Sequence, residues 1–373
     1  MAQSKHSVPA DLKIESFDFE PILLKKEDPT WKFALGASPA TDGMIVRLSA
    51  GGFAGHGYVS ATAHMGLTID ALAAQLKHLR SFVVGARPDA ITGLMTTLDR
   101  GLRGAPQAKA AIDCALHDLL SCLLGVPLTT LLGGAVRDRI PILRILAIKS
   151  PDEMAEQAKR LVGVGYRYLK IKVDGDVDLD VARVAAIRTA VGRDVHLTID
   201  ANQSYTPKDA VTAIEAMEPH DIDLVEQPVR ASDLDGLSLV TNMVSVVIEA
   251  DEAAGTLAEI YELARNRRVD AVSLKIAKLG GIRNTLAAAQ ICEAAGLKYR
   301  LGAVVGSRLA SAFALHLACA MPGVDYACEL AEYERLIGDP FEGLPVENGF
   351  LLLPAGVGAG VVRRVAHSNP DQN

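Results

Sequence analysis

The stretch Tyr168-Leu169-Lys170-Ile171-Lys172-Val173 decides how this chain folds. On a strand, residues two apart share a face, so Lys170 and Lys172 point one way while Leu169, Ile171 and Val173 point the other. Working outward, short apolar runs recur at residues 142–148, 168–173, 196–200, 224–227, 244–251, 271–276, 299–301 and 325–330, with centres about 25 residues apart. That interval fits one strand-helix unit. Helical spacing fills the gaps, with Met154, Ala158, Leu161 and Val162 in one segment and Ala210, Ala213, Ile214 and Met217 in another. Pro151 and Pro207 stand where the first turn of a helix accepts proline. Eight such units predict a closed (β/α) barrel, with an open doubly wound sheet as the alternative.

Residues before 136 break this rhythm. Runs 14–24, 43–48 and 56–60 read as strands, the last two joined through Gly51-Gly52. Segments 67–84 and 107–124 read as helices. Together they predict a separate α+β domain over residues 1–135, closed off by Gly133-Gly134, with the barrel over 136–337. The Gly- and Pro-rich tail 338–373 is expected to pack back on the first domain, and residues from His367 on are expected to be disordered.

Composition narrows the class. With 49% hydrophobic but only 5% aromatic residues, the core must be built of Ala, Val, Leu and Ile, as in helix-and-parallel-sheet proteins. A formal charge of −7 without a long basic run argues against a nucleic-acid partner. The five cysteines show no CxxC spacing and read as buried free thiols in a reducing compartment. Residues 1–12 lack the apolar core of a signal peptide, and no stretch approaches the ~20 apolar residues of a membrane span. The chain reads as cytosolic.

In a closed barrel the chemistry gathers at the carboxyl ends of the strands. Asp200, Glu226 and Asp251 end the third, fourth and fifth runs, where three carboxylates suit one hard cation, Mg²⁺ or Mn²⁺. Acidic residues at strand ends also cap the following helix, and that reading stands beside the metal one. Lys170 and Lys172 would crowd near the metal, and their mutual repulsion is expected to bring one of them from ~10.4 toward the ~7–8 of a general base. Two exposed lysines on an edge strand are the plain alternative. Lys275 ends the sixth run, diametrically opposite the second, so Lys172 and Lys275 would face one another across a bound substrate. Lys278 is expected outside the site, at the rim. Asn202, Glu252, Glu329 and Glu332 are candidates for substrate or supporting contacts, as are Trp31, Phe33 and His56 from the first domain. Each of these has an ordinary structural reading as well. Gly280-Gly281 opens a helix whose start suits an anion, but with no phosphate-loop pattern around it tight packing is the favoured reading.

Taken in order, these residues resemble the enolase superfamily, and within it the muconate-lactonizing-enzyme (muconate cycloisomerase, mandelate racemase-like) subgroup. The similarity runs through Ala110-Ala111-Ile112-Asp113, Leu131-Leu132-Gly133-Gly134, Lys170-Ile171-Lys172, Asp200-Ala201-Asn202, Glu226-Gln227-Pro228, Asp251-Glu252 and Lys275 to Gly281. A Lys or His base paired with one or two Mg²⁺ ions is that superfamily's known pattern and no deduction from this chain. The resemblance implies a (β/α)₇β modified TIM barrel with an α+β capping domain completed by the tail. It implies one Mg²⁺ or Mn²⁺ on Asp200, Glu226 and Asp251, Lys172 as principal acid/base, Lys170 as its electrostatic partner, and Lys275 as the opposed acid/base or a cation stabiliser. A homo-oligomer is implied too. The seventh run carries no histidine, which disfavours the racemase branch that uses a His-Asp dyad. At the eighth, Cys328-Glu329-Leu330 stands where dipeptide epimerases carry Asp-x-Asp, and sits nearer the cycloisomerases.

The expected activity is a metal-dependent isomerase (racemase, epimerase or cycloisomerase) that takes the α-proton of a small carboxylic acid and forms an enolate. A dehydratase working through the same enolate is the runner-up, and a barrel that binds without turnover is the third possibility.

Overall fold

The computed structural model describes residues 7–364; the expectation for the segment from His367 lies outside them. Seven parallel strands form one sheet in chain order: Leu143–Leu146, Tyr168–Lys172, His196–Asp200, Ile222–Glu226, Val247–Ala250, Ala271–Leu274 and Lys298–Leu301. We number these first to seventh. Residues 325–330 close the ring through single bridges, Gly302 to Glu329 on one side and Ile142 to Cys328 on the other. The backbone N–H of Leu143 donates to the Cys328 carbonyl, and that of Ala303 to the Glu329 carbonyl, both at 3.0 Å. The sheet is therefore a barrel whose eighth member makes bridges and no ladder.

Local chemistry sets the helices between. Ser150 and Glu153 form a reciprocal capping box ahead of Pro151–Gly163, with Pro151 in its first turn. Thr206 caps Pro207–Met217 in one direction only, its side chain accepting from the Asp209 backbone. The fifth strand starts at Val247, later than the sequence run, because Val244 still caps the helix Leu234–Met243.

A second, antiparallel sheet stands beside the barrel. Strands Ser16–Lys26 and Ala40–Ala50 pair along their length, and Phe53–Ala61 turns back on the latter. Gly51 and Gly52 carry φ of 56° and 79°, both in the left-handed region that a two-residue hairpin of matching twist demands. The helix Ile69–Val83 buries Leu72, Leu76, Leu79 and Val83, each 0% exposed. Each such side chain contributes about 1.5–3 kcal/mol by leaving water. A further helix, Ile91–Gly101, was not foreseen in the sequence.

Helix Pro106–Leu124 joins the two halves. Its alanines let strand Phe53–Ala61 lie almost in contact: a Cβ on Gly57 would sit 2.0 Å from the Ala111 carbonyl oxygen. Its Asp113 reaches the other way and accepts the Ile282 N–H at 2.6 Å, at the start of helix Ile282–Ala295. The helix start at Gly280-Gly281 thus receives an anion from the chain itself. Leu336–Ile337 adds a strand to the antiparallel sheet against Lys25 and Lys26, and Arg363 bonds Glu20.

Candidate active site

Strand register delivers the charges. Lys172 lies beside Asp200 across the second and third strands, and Asp200 beside Glu226 across the third and fourth. All three point into the ring with Lys170. Lys170 Nζ stands 2.9 Å from Asp200 Oδ2, 2.8 Å from Glu226 Oε2 and 2.5 Å from Glu329 Oε2. Lys172 Nζ donates to Asp200 and, at 2.8 Å, to Asn202 Oδ1. Across the ring Lys275 and Lys278 donate to separate oxygens of Asp251. Asn202 Nδ2 donates to Glu252 Oε1 at 3.2 Å, tying the two sides together.

Lys278 is therefore no rim residue, contrary to the sequence reading. The chain turns into a four-residue helix, Ile276–Leu279, directly after Lys275. That turn sends Lys278 back inside, where it also donates to the Asp251 and Ser273 carbonyls at 2.6 and 3.1 Å.

His56 is not brought to this cluster either. Its neighbours Gly55 and Gly57 face the helix Pro106–Leu124, so strand alternation points His56 to the other side. Its ring meets Phe341 edge-on, and Asp118 reaches over from that helix to accept the His56 backbone N–H at 2.8 Å, with its carboxylate 4.0 Å from Nδ1. Trp31, Phe33, Asn202, Glu252 and Glu329 do line the cleft above the lysines, a cavity of about 480 Å³. Another cavity, of about 430 Å³, is lined by Tyr168, His196, Asp223 and Lys298, at the ends where the strands begin, and shares only Arg300 with the charged cluster.

Sequence reasoning missed Arg300 and Glu249. Arg300, 1% exposed, donates from Nε to Glu249 Oε1 at 3.0 Å and from Nη2 to Glu249 Oε2 at 2.5 Å and to Glu226 Oε2. The signal was there: both are charged residues inside otherwise apolar strand runs. Their effect is to fasten one oxygen of Glu226. The other, Oε1, is buried without a hydrogen-bond partner, as is Glu252 Oε2.

The carboxylates govern the electrostatics. Burial alone would pull the Lys170 ammonium down, but Asp200, Glu226 and Glu329 hold it well above the usual lysine value. Lys275 is likewise raised, burial being outweighed by Asp251, Glu226 and Glu329. The expected depression by lysine-lysine repulsion is thus overruled at Lys170. Burial pushes Glu226 far up, reinforced by the charge of Asp200 and only partly countered by Lys170 and Arg300. Asp200 and Asp251 go the other way: burial is overcome by Lys170 and Lys172 in one case, by Lys275 and Lys278 in the other. Among the described residues no three acidic, histidine or cysteine side chains are already gathered as a coordination shell; ammonium groups hold the carboxylates. The donors are all oxygens, they end three consecutive strands, and Glu226 Oε1 is left over. That set fits a hard divalent cation.

Comparison with known proteins agrees with this architecture. Residues 22–133 match the family described as mandelate racemase / muconate lactonizing enzyme, N-terminal domain, and residues 153–365 match enolase C-terminal domain-like. A hydrophobic dipeptide epimerase of Enterococcus faecalis is 38% identical over 321 residues, 85% of this chain and 90% of that protein. A chloromuconate cycloisomerase of Cupriavidus necator is 33% identical over 288 residues, 76% of this chain and 78% of that one. Relatives of both kinds are found. The crystal structure of the Enterococcus faecalis V583 dipeptide epimerase complexed with Mg and L-Leu-L-Tyr superposes with a TM-score of 0.90 at 35% identity, covering 94% of this chain and 99% of that one. Relatives of this group are epimerases, racemases and cycloisomerases, all isomerases. With its (β/α)₇β barrel, its antiparallel cap and its ring of lysines and carboxylates, the chain belongs to the mandelate racemase / muconate lactonizing enzyme family of the enolase superfamily.

Proposed function

We propose that this isomerase carries out 1,1-proton transfer, racemising or epimerising the carbon next to the carboxylate of a small acid. One observation carries the reading: Lys172 and Lys275 arise from the second and sixth members of an eight-member ring, half a circumference apart, and both line the same cleft. A substrate between them presents one face of its α-carbon to each. The lysine that is a free amine takes the proton, and the opposite ammonium returns one to the other face. Lys170 is the electrostatic partner that fixes Asp200, Glu226 and Glu329 together.

Asp200, Glu226 and Asp251 would hold one Mg²⁺ or Mn²⁺, with Arg300 keeping Glu226 turned so that Oε1 is available. A cation held there would supply positive charge for the substrate carboxylate. Cycloisomerisation uses the same pair of lysines, and Glu329 in place of an Asp-x-Asp segment favours it as the second reading.

We propose domain borders at 1–135 with 338–373 for the cap and 136–337 for the barrel, whose last two residues, Leu336 and Ile337, lend a strand to the cap sheet. The chain is proposed to work as a cytosolic homo-oligomer on small molecules. The cysteines are unpaired, and no helix among the described residues is long and apolar enough to cross a membrane.

The test is α-proton exchange followed by NMR in D₂O with Mg²⁺, across N-acyl amino acids, dipeptides, hydroxy acids and muconolactones. Exchange with inversion, lost in Lys172→Ala and Lys275→Ala, supports the reading. New lactone or alkene signals assign the second. Full exchange in Lys172→Ala overturns it.

A further inference from the structure

The barrel has a second mouth, at the end where its strands begin, and the proton transfer makes no use of it. A cavity of about 430 Å³ opens there, ample for a small molecule. Strand alternation supplies its lining. The third strand turns His196, Thr198 and Asp200 to one face, and the seventh does the same with Lys298 and Arg300. Asp200 serves the charged cluster, Arg300 belongs to both ends, and the others line this cavity. The Tyr168 and His196 rings stack at 4.6 Å, within 9° of parallel, and make a flat wall. Lys298 Nζ lies 5.6 Å from the centre of the Tyr326 ring at the rim. Thr198 and Arg300, farther along their strands, form the floor. Arg300 reaches from the seventh strand to Glu226 on the fourth, which neighbours the third strand that carries Thr198.

Hydrogen bonding around this cavity is lopsided. Arg300 uses Nε and Nη2 for Glu249 and Glu226, so Nη1 makes no hydrogen bond. Thr198 Oγ1 and Lys298 Nζ make none among the described residues, and Tyr326 Oη is buried without one. All four are able to donate. The two acids of this mouth are already engaged: Asp223 meets His196 Nδ1 at 3.0 Å, and Asp325 accepts the Tyr299 N–H at 3.2 Å. Arg137 also lines the cavity, with its guanidinium bonded to the carbonyls of Ala318, Met321 and Pro322. Neither its charge nor that of Lys298 has a carboxylate within 4.0 Å among the described residues. Surplus donors and unanswered positive charge beside a flat aromatic wall suit a planar anion.

We propose that this mouth is a second binding site, at the opposite end of the barrel from the cleft, and that it takes a small aromatic carboxylate. The floor donors of Arg300 and Thr198 receive the carboxylate, the Tyr168–His196 pair receives the ring, and Lys298 adds its charge at the rim.

The probe is 4-fluorobenzoate, titrated into the Mg²⁺-loaded full chain and followed by ¹⁹F NMR, with 4-fluorobenzamide as its neutral match. The acid is expected to bind with a Kd of about 1 mM or tighter, and the amide at least about tenfold more weakly. Cyclohexanecarboxylate, equally charged but not flat, should displace the probe at least about threefold less well than benzoate does. Thr198→Val should weaken the acid about tenfold. Lys298→Met should weaken it about threefold, with recovery in Lys298→Arg. Asp251→Asn, at the other end of the barrel, should leave it within about twofold. No binding, equal binding of acid and amide, or equal displacement by the two competitors each overturns the proposal. So does binding that ignores both Thr198→Val and Lys298→Met, or that Asp251→Asn abolishes, since the probe then sits in the cleft. The readout needs no turnover, so this site and the proton-transfer reading fail separately.

Discussion

Two clusters of buried charge sit on the same barrel, and their difference separates a brace from a site. One lies outside the ring, where Asp180, 0% exposed, takes four donors: the N–H groups of Asp174 and Gly175, Arg183 Nη1 and, at 2.7 Å, the Tyr205 hydroxyl. Arg183 in turn bonds Asp174 at 2.7 Å and the Lys149 carbonyl at 3.1 Å. Every charge there is answered. The other cluster is the mouth, which gathers four lysines yet leaves Glu226 Oε1 and Glu252 Oε2 without partners. Leaving a buried acceptor unmade costs about 1–3 kcal/mol, so an unfinished network persists when something else completes it.

The sharpest separation comes from substitution in each cluster. Lys172→Ala or Lys275→Ala is expected to cut exchange by about 10²- to 10⁴-fold, the usual span for a positioned acid or base. Each should fail on opposite enantiomers, with circular dichroism unchanged. Arg183→Met is expected to behave inversely. It strands Asp180 and should remove about 3–5 kcal/mol of stability by urea unfolding, while kcat of the folded fraction stays within twofold. Loss of turnover there without loss of stability would erase the distinction.

An unpartnered atom is not always a site, and His316 is the control. Its Nδ1 is buried and unbonded, while Nε2 meets the Ala359 carbonyl at 3.2 Å in the packing of the tail. Burial lowers it to about 4. The unfolded chain, titrating near 6.5, therefore binds the extra proton first on acidification. Stability that is full above about pH 6.5 is lost as pH falls toward about 4, by about 3 kcal/mol from this group. In His316→Gln that share of the pH dependence of thermal unfolding should vanish, with exchange activity retained.

Metal completes the ranking in the middle. At a hundred times its Kd, Mg²⁺ should stabilise the protein by about 2.7 kcal/mol, and EDTA should reverse both this and the exchange activity. Asp251→Asn should abolish the shift, and Arg183→Met should leave it intact. The smallest effect is Tyr205→Phe, which removes one donor from Asp180 and should cost about 1 kcal/mol in urea unfolding with no kinetic change.

Much of this was legible in the sequence because a strand converts spacing into direction. Lys170 and Lys172, and the carboxylates closing successive apolar runs, announce an interior that collects charge. The hairpin at Gly51-Gly52 was readable for a similar reason, since two consecutive left-handed residues need glycine or its close substitutes. What escaped depended on turns and on neighbours far off in the chain. Lys278 was misplaced because a single helical turn after the sixth strand reverses its direction. His56 was misplaced because its face of the strand is decided by a helix some fifty residues on. Glu249 and Arg300 each look like an isolated charge, and only ring closure makes them partners.

The cap sheet is assembled from both ends of the polypeptide, with Lys26 paired to Leu336 and Glu20 reached by Arg363, 343 residues away. For anyone exchanging caps between relatives, this makes the cap a two-piece part. A transplanted first segment would meet a foreign last strand along the edge that carries Lys26. Chimeras cut once, near residue 135, should therefore fold poorly, and those that carry residues from 336 onward with the amino-terminal piece should fold as a unit.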